Sequence, residues 1–268
     1  MAALDDLIAT LRAQPGFDPA SFDPNTLVDA LDPAVVGQLM AQIWADEDRA
    51  RFNRFNDLFP DEGPLRRELY PRHLEFFREG ANYRERCFLA ANRIGKTVGA
   101  GFEVTSHLTG LYKPWWEGRR FRRNNRWWAA GATNETTRDI IQKELLGEVS
   151  YISGSKRMDG SGIIPRDCIG DIAWKQGVPN LVDTVEIRHV SGRWSQLGLK
   201  SYEQGRKAFE GTAKEGIWLD EEVDISVYSE CLIRTATTRG ILILTFTPLK
   251  GLSETVLQFL PKEMRPGA

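Results

Sequence analysis

Cysteine and histidine are scarce, with three of each in 268 residues. Cys87, Cys168 and Cys231 lie far apart and form no C-x-x-C pair. The histidines are equally scattered, so neither a disulfide framework nor a histidine–cysteine metal centre is encoded, and the isolated thiols fit a reducing compartment. Long apolar runs are missing too. Nothing approaches the length needed to span a bilayer, and the N-terminus lacks the basic-then-apolar order of a secretory signal. There is also no large excess of one charge. With a net charge of −2, any contact with nucleic acid has to come from a local patch.

What is present is a 41% apolar chain, enough for a large core, in which arginine outnumbers lysine 25 to 10. Planar arginine forks suit bidentate recognition of phosphate and carboxylate. Residues 1–60 read as a helical appendage. Leu4, Leu7, Ile8 and Leu11 form one short stripe. Asp32-Pro33 then starts a second helix, with Val35, Val36, Leu39, Met40, Ile43 and Trp44 on one face. Pro60-Asp61-Glu62-Gly63-Pro64 marks the expected boundary, with one domain over 61–262.

Beyond that boundary, strand and helix signals alternate. Cys87–Ala91 is an apolar strand, and Val98, Phe102 and Leu108 follow at helical spacing up to Gly110. Arg126–Gly131 is a second strand, and Thr133-Asn134-Glu135 opens a helix that Gly147 closes. The Gly-, Ser- and Pro-rich stretch 154–179 reads as a loop or lid. Val185–Val190 and Trp194–Lys200 flank a Ser191-Gly192 turn as a hairpin. Gly216–Leu219 and Ile241–Leu244 are short buried strands around a helix over Ile225–Thr235. Continuous apolar strand cores alternating with helices predict an α/β fold with a mainly parallel sheet.

The strand at Cys87 runs into Ala90-Ala91-Asn92-Arg93-Ile94-Gly95-Lys96-Thr97, close to the phosphate-loop pattern G-x-x-x-x-G-K-[ST], with alanine at the first glycine position. In such a loop, backbone N–H groups and a helix N-terminus wrap the phosphates of ATP, the lysine reaches the β/γ-phosphates and the threonine hydroxyl reaches Mg²⁺. Ile217-Trp218-Leu219-Asp220-Glu221 then delivers two carboxylates at a strand's C-terminal end, where open α/β sheets bind ligands. In that setting Asp220 would hold Mg²⁺ and Glu221 would polarise the attacking water, with Glu222 and Asp224 close by as substitutes. Thr245 and Thr247 end the next buried strand, where hydroxyls could sense the γ-phosphate.

Taken together, these segments resemble the ATPase domain of the large terminase subunit of tailed bacteriophages, the DNA-packaging motor. Leu69-Tyr70-Pro71-Arg72-His73-Leu74-Glu75-Phe76-Phe77 resembles the adenine-side motif, with His73 about where a glutamine is usual. Ala91–Thr97 is similar to the family's phosphate loop, in which an arginine is common. Leu199–Arg206 with Phe209-Glu210-Gly211 resembles the segment before the Asp-Glu strand, and Thr245-Phe246-Thr247-Pro248 the coupling motif.

The resemblance implies a RecA-like P-loop NTPase fold of the additional-strand, catalytic-glutamate type. It implies ATP and Mg²⁺ as cofactors, with Tyr70, Arg72, Ala91, Asn92, Arg93, Ile94, Gly95, Lys96 and Thr97 around ATP and Thr97 and Asp220 at the metal. Glu221 would be catalytic, assisted by Arg93 in its own chain or Arg206 from a neighbour, with Arg234 as a further candidate. Thr245 and Thr247 would couple hydrolysis to motion. Expected partners are double-stranded DNA, the portal protein, the small terminase subunit and further copies in a ring, in the host cytoplasm and away from membranes. Such subunits continue into a nuclease domain, and residues 263–268 stand where the linker to it is expected, so no nuclease activity is assigned here.

Arg119-Arg120-Phe121-Arg122-Arg123, beside Trp115-Trp116, is the one strong basic–aromatic run. It reads as a DNA-tracking or subunit-facing patch, or as a solvated loop. Two rival functions use the same phosphate loop. One is another enzyme, a helicase-type translocase or a small-molecule kinase. The other is a nucleotide-gated assembly scaffold without turnover, which would have no use for the second carboxylate.

Overall fold

The computed structural model describes residues 33–249, 251, 253–260 and 263. The stripe at Leu4–Leu11 and the segment 264–268 therefore lie outside the described residues. The chain divides into two compact units between Arg51 and Phe52, earlier than the 60/61 boundary expected. The reason is aromatic. Phe55 stacks on Phe102 at 4.8 Å, and Phe59 meets Phe77 edge-on at 5.3 Å, so both belong to the core of the second unit. Helix α1 (Pro33–Phe52) ends at the division, with Met40 and Trp44 exposed on it.

In the second unit, α2 (Pro71–Glu79) precedes strand β1 (Glu85–Leu89) and helix α3 (Lys96–Thr109). β2 (Arg126–Gly131) follows, then a helix over 134–146, α4, whose middle, Thr137–Gln142, is wound as a π-helix. β3 (Val149–Ile152) and β4 (Ser155–Met158) form a small hairpin. The rest is β5 (Ile169–Trp174), β6 (Val182–Arg188), β7 (Trp194–Ser201), β8 (Gly216–Asp220), α5 (Ile225–Ala236), β9 (Ile241–Phe246) and α6 (Glu254–Phe259). Among the described residues, no helix is long and apolar enough to cross a membrane.

Seven strands form one sheet in the order β1-β9-β8-β2-β7-β6-β5. The first five run parallel, and β6 runs antiparallel to both its neighbours, β7 and β5. β8 and β9 are buried along their whole length, as strands covered on both faces must be. One face packs against α3, α2 and α4, with Phe102, Leu108, Ile141 and Trp218 in its core. The other packs against α5 and α6 through Val227, Tyr228 and Val256.

The order has a consequence for function. β9 lies between β1 and β8, so the loop after β1, the carboxylates after β8 and the threonines of β9 all emerge at the same end of three adjacent strands. That is the arrangement expected of a P-loop NTPase sheet with an additional strand between the loop strand and the carboxylate strand.

The segment 154–179, expected as a loop or lid, is irregular over most of its length but is interrupted by two strands. It carries β4 and β5. β5 is an edge strand with alternate residues exposed, so it lacks an apolar run. Pairing with β6 holds it, and the Trp194 ring lies over Gly170 so closely that a Cβ there would come within 2.6 Å of it.

Candidate active site

The phosphate loop is the hinge between β1 and α3. Arg93 (φ 63°) and Gly95 (φ 84°) adopt left-handed conformations, and α3 begins at Lys96 directly after the second. A non-glycine residue at such a φ stores about 1–3 kcal/mol, and such strain clusters at functional sites. Lys96 Nζ donates to Ala90 O (2.9 Å), Ala91 O (2.6 Å) and Thr247 Oγ1 (2.9 Å), which uses all three of its protons. Burial lowers its pKa, and Asp220 opposes that shift. Thr247 Oγ1 in turn lies 2.8 Å from Ala90 O and 2.7 Å from Asn92 Oδ1.

Asp220 ends β8 almost fully buried. Burial pushes its carboxyl up to about 6, against a hydrogen bond from Thr245 and with Glu221 adding to the rise. Thr245 donates to Oδ1 across 2.6 Å, and Thr97 Oγ1 lies 3.4 Å from both carboxylate oxygens. The backbone is held as well. The Tyr202 hydroxyl, just after β7, lies 2.8 Å from Asp220 O and 3.0 Å from Ala130 O, sharing its one proton between the ends of β8 and β2.

Glu221 is exposed at φ 72°, fixed by its own N–H donating to Thr245 O across 2.8 Å. Glu222 Oε2 is buried with no hydrogen-bond partner among the described residues. A cavity of about 600 Å³ opens between loop and carboxylates, lined by Arg93, Lys96, Thr97, Asp220, Glu221, Glu222 and Thr247. A threonine hydroxyl facing a carboxylate is a hard-oxygen pair that fits Mg²⁺, which keeps most of its ligands as waters and substrate phosphates.

A second cavity, about 800 Å³, lies on the other side of the loop, lined by Tyr70, Arg72, His73, Ala90 and Ile94 among others. Tyr70 packs edge-on against Phe59 and His73, which fixes α2 beside the loop. Arg72 is exposed and donates to Glu75 (2.7 Å). His73 has a use that its sequence position did not suggest. Its Nε2 lies 3.2 Å from Gly95 O, and burial lowers its pKa, so α2 is tied directly to the phosphate loop by a neutral ring. Gly99 makes room for it, since a Cβ there would lie 2.8 Å from the His73 ring.

Residues 87–266 match the family described as "Terminase large subunit, T4likevirus-type, N-terminal". The chain belongs to the terminase large subunit family. The large terminase subunit of Salmonella phage P22 is 37% identical over 210 residues, covering 71% of this chain and 41% of that protein, so this terminase chain spans less than half of that relative's length. Among solved structures, the large terminase ATPase domain of Thermus phage P74-26 matches with a TM-score of 0.45 at 16% identity, over 65% of this chain and 63% of that one. The large terminase of thermophilic bacteriophage D6E, in complex with ADP, matches with a TM-score of 0.44 at 14% identity, over 66% and 37%.

Not every residue singled out in this terminase chain reaches the cavity. Arg93 lines it; Arg206 and Arg234 do not. Arg206 Nε pairs with Glu230 Oε2 at 3.0 Å and Arg234 NH2 with Glu230 Oε1 at 2.8 Å, so both clamp one buried carboxylate on α5. Both threonines line the cavity but have different partners. Thr245 is buried and bonded to Asp220, whereas Thr247 is bonded to Lys96.

The basic–aromatic run divides too. Arg119 donates to Arg239 O (2.6 Å) and lies over Phe121, and Arg120 donates to Trp116 O (2.9 Å) and lies over Tyr112. Trp116 is buried, and Trp115 packs on the core. Those aromatics are therefore interior. Arg120, Arg122 and Arg123 are all exposed, but the Arg120 guanidinium is held by the Trp116 carbonyl.

Proposed function

We propose that this terminase chain hydrolyses ATP and uses the energy to drive double-stranded DNA into a viral procapsid. The observation that carries the reading is the convergence of Lys96, Thr97, Asp220 and Glu221 on one cavity at the ends of adjacent strands, in a chain of this family.

Residues Ala91–Thr97 cradle the phosphates, and Lys96 exchanges its bonds to Ala90, Ala91 and Thr247 for phosphate oxygens. Tyr70 and Arg72 flank the base-side cavity. Asp220 and Thr97 would hold Mg²⁺, which when bound neutralises phosphate charge. Glu221 takes a proton from the attacking water, and its strained, fixed backbone aims the carboxylate into the cavity. Arg93 stabilises the transferred phosphoryl group within the chain, or Arg206 does so from the next subunit of a ring. Loss of the γ-phosphate is passed through Thr247, with Thr245 acting on Asp220. The partners are DNA, the portal protein, the small terminase subunit and further copies of the chain, in the host cytoplasm, and Arg122 and Arg123 face DNA or a neighbouring subunit.

The test is ATP turnover against protein concentration, with Glu221→Gln alongside. Turnover that is lost by about 10²–10⁴-fold in the variant, with Mg–ATP binding kept, supports the hydrolase. Binding without turnover at any concentration would replace it with the scaffold reading.

A further inference from the structure

We propose that Trp218 is a positioning residue for the metal-holding carboxylate of Asp220, acting through Thr245. This deepens the ATPase reading and rests on it.

Trp218 sits in the middle of β8, fully buried between Ile217 and Leu219. Asp220 lies two residues further on, and successive side chains of a strand alternate, so both point to the α3 side of the sheet. Thr245 is Asp220's register partner on β9. Its hydroxyl receives the Trp218 Nε1–H across 2.7 Å and donates to Asp220 Oδ1 across 2.6 Å.

The order of this chain is fixed by chemistry. An indole N–H can only donate, and a carboxylate can only accept, so the hydroxyl between them has one way to point. With Trp218 on a lone pair of Thr245, the single threonine proton is directed at Oδ1. That leaves Oδ2 without a bond from Thr245, with Thr97 Oγ1 3.4 Å from either oxygen. A threonine without the indole would be free to turn its proton elsewhere, and the carboxylate would rotate with it.

A buried indole in this protein does not find a partner by default. Trp127, equally buried on β2, leaves its Nε1 without a hydrogen bond among the described residues. A leucine or isoleucine would serve an all-apolar strand at position 218 without the desolvation that an indole N–H brings. The polar atom at this place is therefore matched to Thr245 rather than incidental to the ring.

The experiment compares Mn²⁺ affinity, by electron paramagnetic resonance, in the ADP complexes of the wild-type chain, Trp218→Phe, Thr245→Ser, Thr245→Val and Asp220→Asn. ADP affinity in EDTA is measured in parallel. Residues that orient a metal ligand typically carry 10–100-fold of metal affinity. Trp218→Phe should bind Mn²⁺ about tenfold more weakly with metal-free ADP affinity kept within about twofold. Thr245→Val should match it, and Thr245→Ser, which keeps the hydroxyl, should bind as the wild type does. If Asp220→Asn loses Mn²⁺ while Trp218→Phe binds it like the wild type, the proposal falls and the metal reading stands. If metal-bound and metal-free affinities fall together, Trp218 only supports the fold and the proposal is equally overturned. If Asp220→Asn binds Mn²⁺ normally, the metal reading itself is wrong. Should Trp218→Phe fail to fold, Trp218→β-(3-benzothienyl)alanine keeps the bicyclic ring and replaces only the N–H, and the same comparison decides.

Discussion

Lys96 Nζ and Thr247 Oγ1 are hydrogen-bonded at 2.9 Å, joining the phosphate loop to the end of β9 across the candidate active site. The same hydroxyl lies 2.7 Å from Asn92 Oδ1, so loop and strand share one small network. A phosphate entering the cavity competes with Thr247 for the lysine, which makes the strand end respond to occupancy. Lys96→Ala should therefore abolish measurable ATP turnover. Thr247→Val should keep ATP binding within severalfold while turnover drops about tenfold, and Thr247→Ser should restore it, since one hydrogen bond to a charged group carries about 1.5–3 kcal/mol. Steady-state kinetics with a parallel binding titration separates the two; equal loss of binding and turnover in Thr247→Val would refute the coupling.

The three histidines set how stability changes with pH. His73, His107 and His189 are all buried, and burial lowers each below the ordinary 6.5. The unfolded chain therefore takes up protons near pH 6.5 that the native chain still refuses, and stability falls as pH drops below that value. Asp220 works in the opposite sense. Its carboxyl, pushed up to about 6 from 3.8, is protonated first in the native state and gains stability as pH falls from 6. Three groups oppose one, so the stability read by urea unfolding should fall between pH 7.5 and 5.5. A flat or rising profile over that range would contradict the burial of the rings.

The placement of the candidate site was legible in the sequence where a motif and its strand coincide. Lys96-Thr97 after an apolar strand and Asp220-Glu221 after another could be read because residue type, order and periodicity all point the same way. What escaped notice depends on partners distant in the chain. An arginine shows its charge in sequence but not its acceptor, so neither the Arg119 bond to Arg239 O nor Glu230 as the partner of Arg206 could be named in advance. His73 read as a departure from a motif because its bond to Gly95 O spans 22 positions. Trp218 read as one more apolar strand residue. Phe55 and Phe59 lay on the wrong side of a proline-rich boundary because stacking on Phe102 and Phe77 leaves no trace in local composition.

If Arg122 and Arg123 contact DNA, the salt dependence of binding should report them individually. Replacing both by serine should weaken binding uniformly across sequences and reduce the slope of log K against log salt by about 2. Arg119→Ser and Arg120→Ser should leave that slope unchanged. They should instead cost about 1–3 kcal/mol in unfolding free energy, because each guanidinium bonds a backbone carbonyl and covers an aromatic ring. Identical behaviour of the two pairs would show that the division between them is not functional.

Arg206 offers the sharpest test of assembly. Its Nε is spent on Glu230 at 3.0 Å, but its side chain is 56% exposed, and within its own chain it stands outside the cavity. If Arg206 acts on the nucleotide, it must therefore do so in a neighbouring subunit. Arg206→Ala should then lower turnover by about 10³–10⁵-fold without changing ATP binding, as loss of an arginine acting on the phosphoryl group does elsewhere. Glu221→Gln should be inactive too, for a different reason. The two lesions complement only if each active site joins Glu221 of one subunit to Arg206 of the next. In an equimolar mixture, random assembly leaves about a quarter of interfaces with both groups intact, so about that fraction of wild-type turnover should return. No recovery, from two variants that each bind ATP and assemble, would move the arginine role to Arg93 inside the chain. Full activity of Arg206→Ala alone would reduce Arg206 to the ion pair it makes with Glu230.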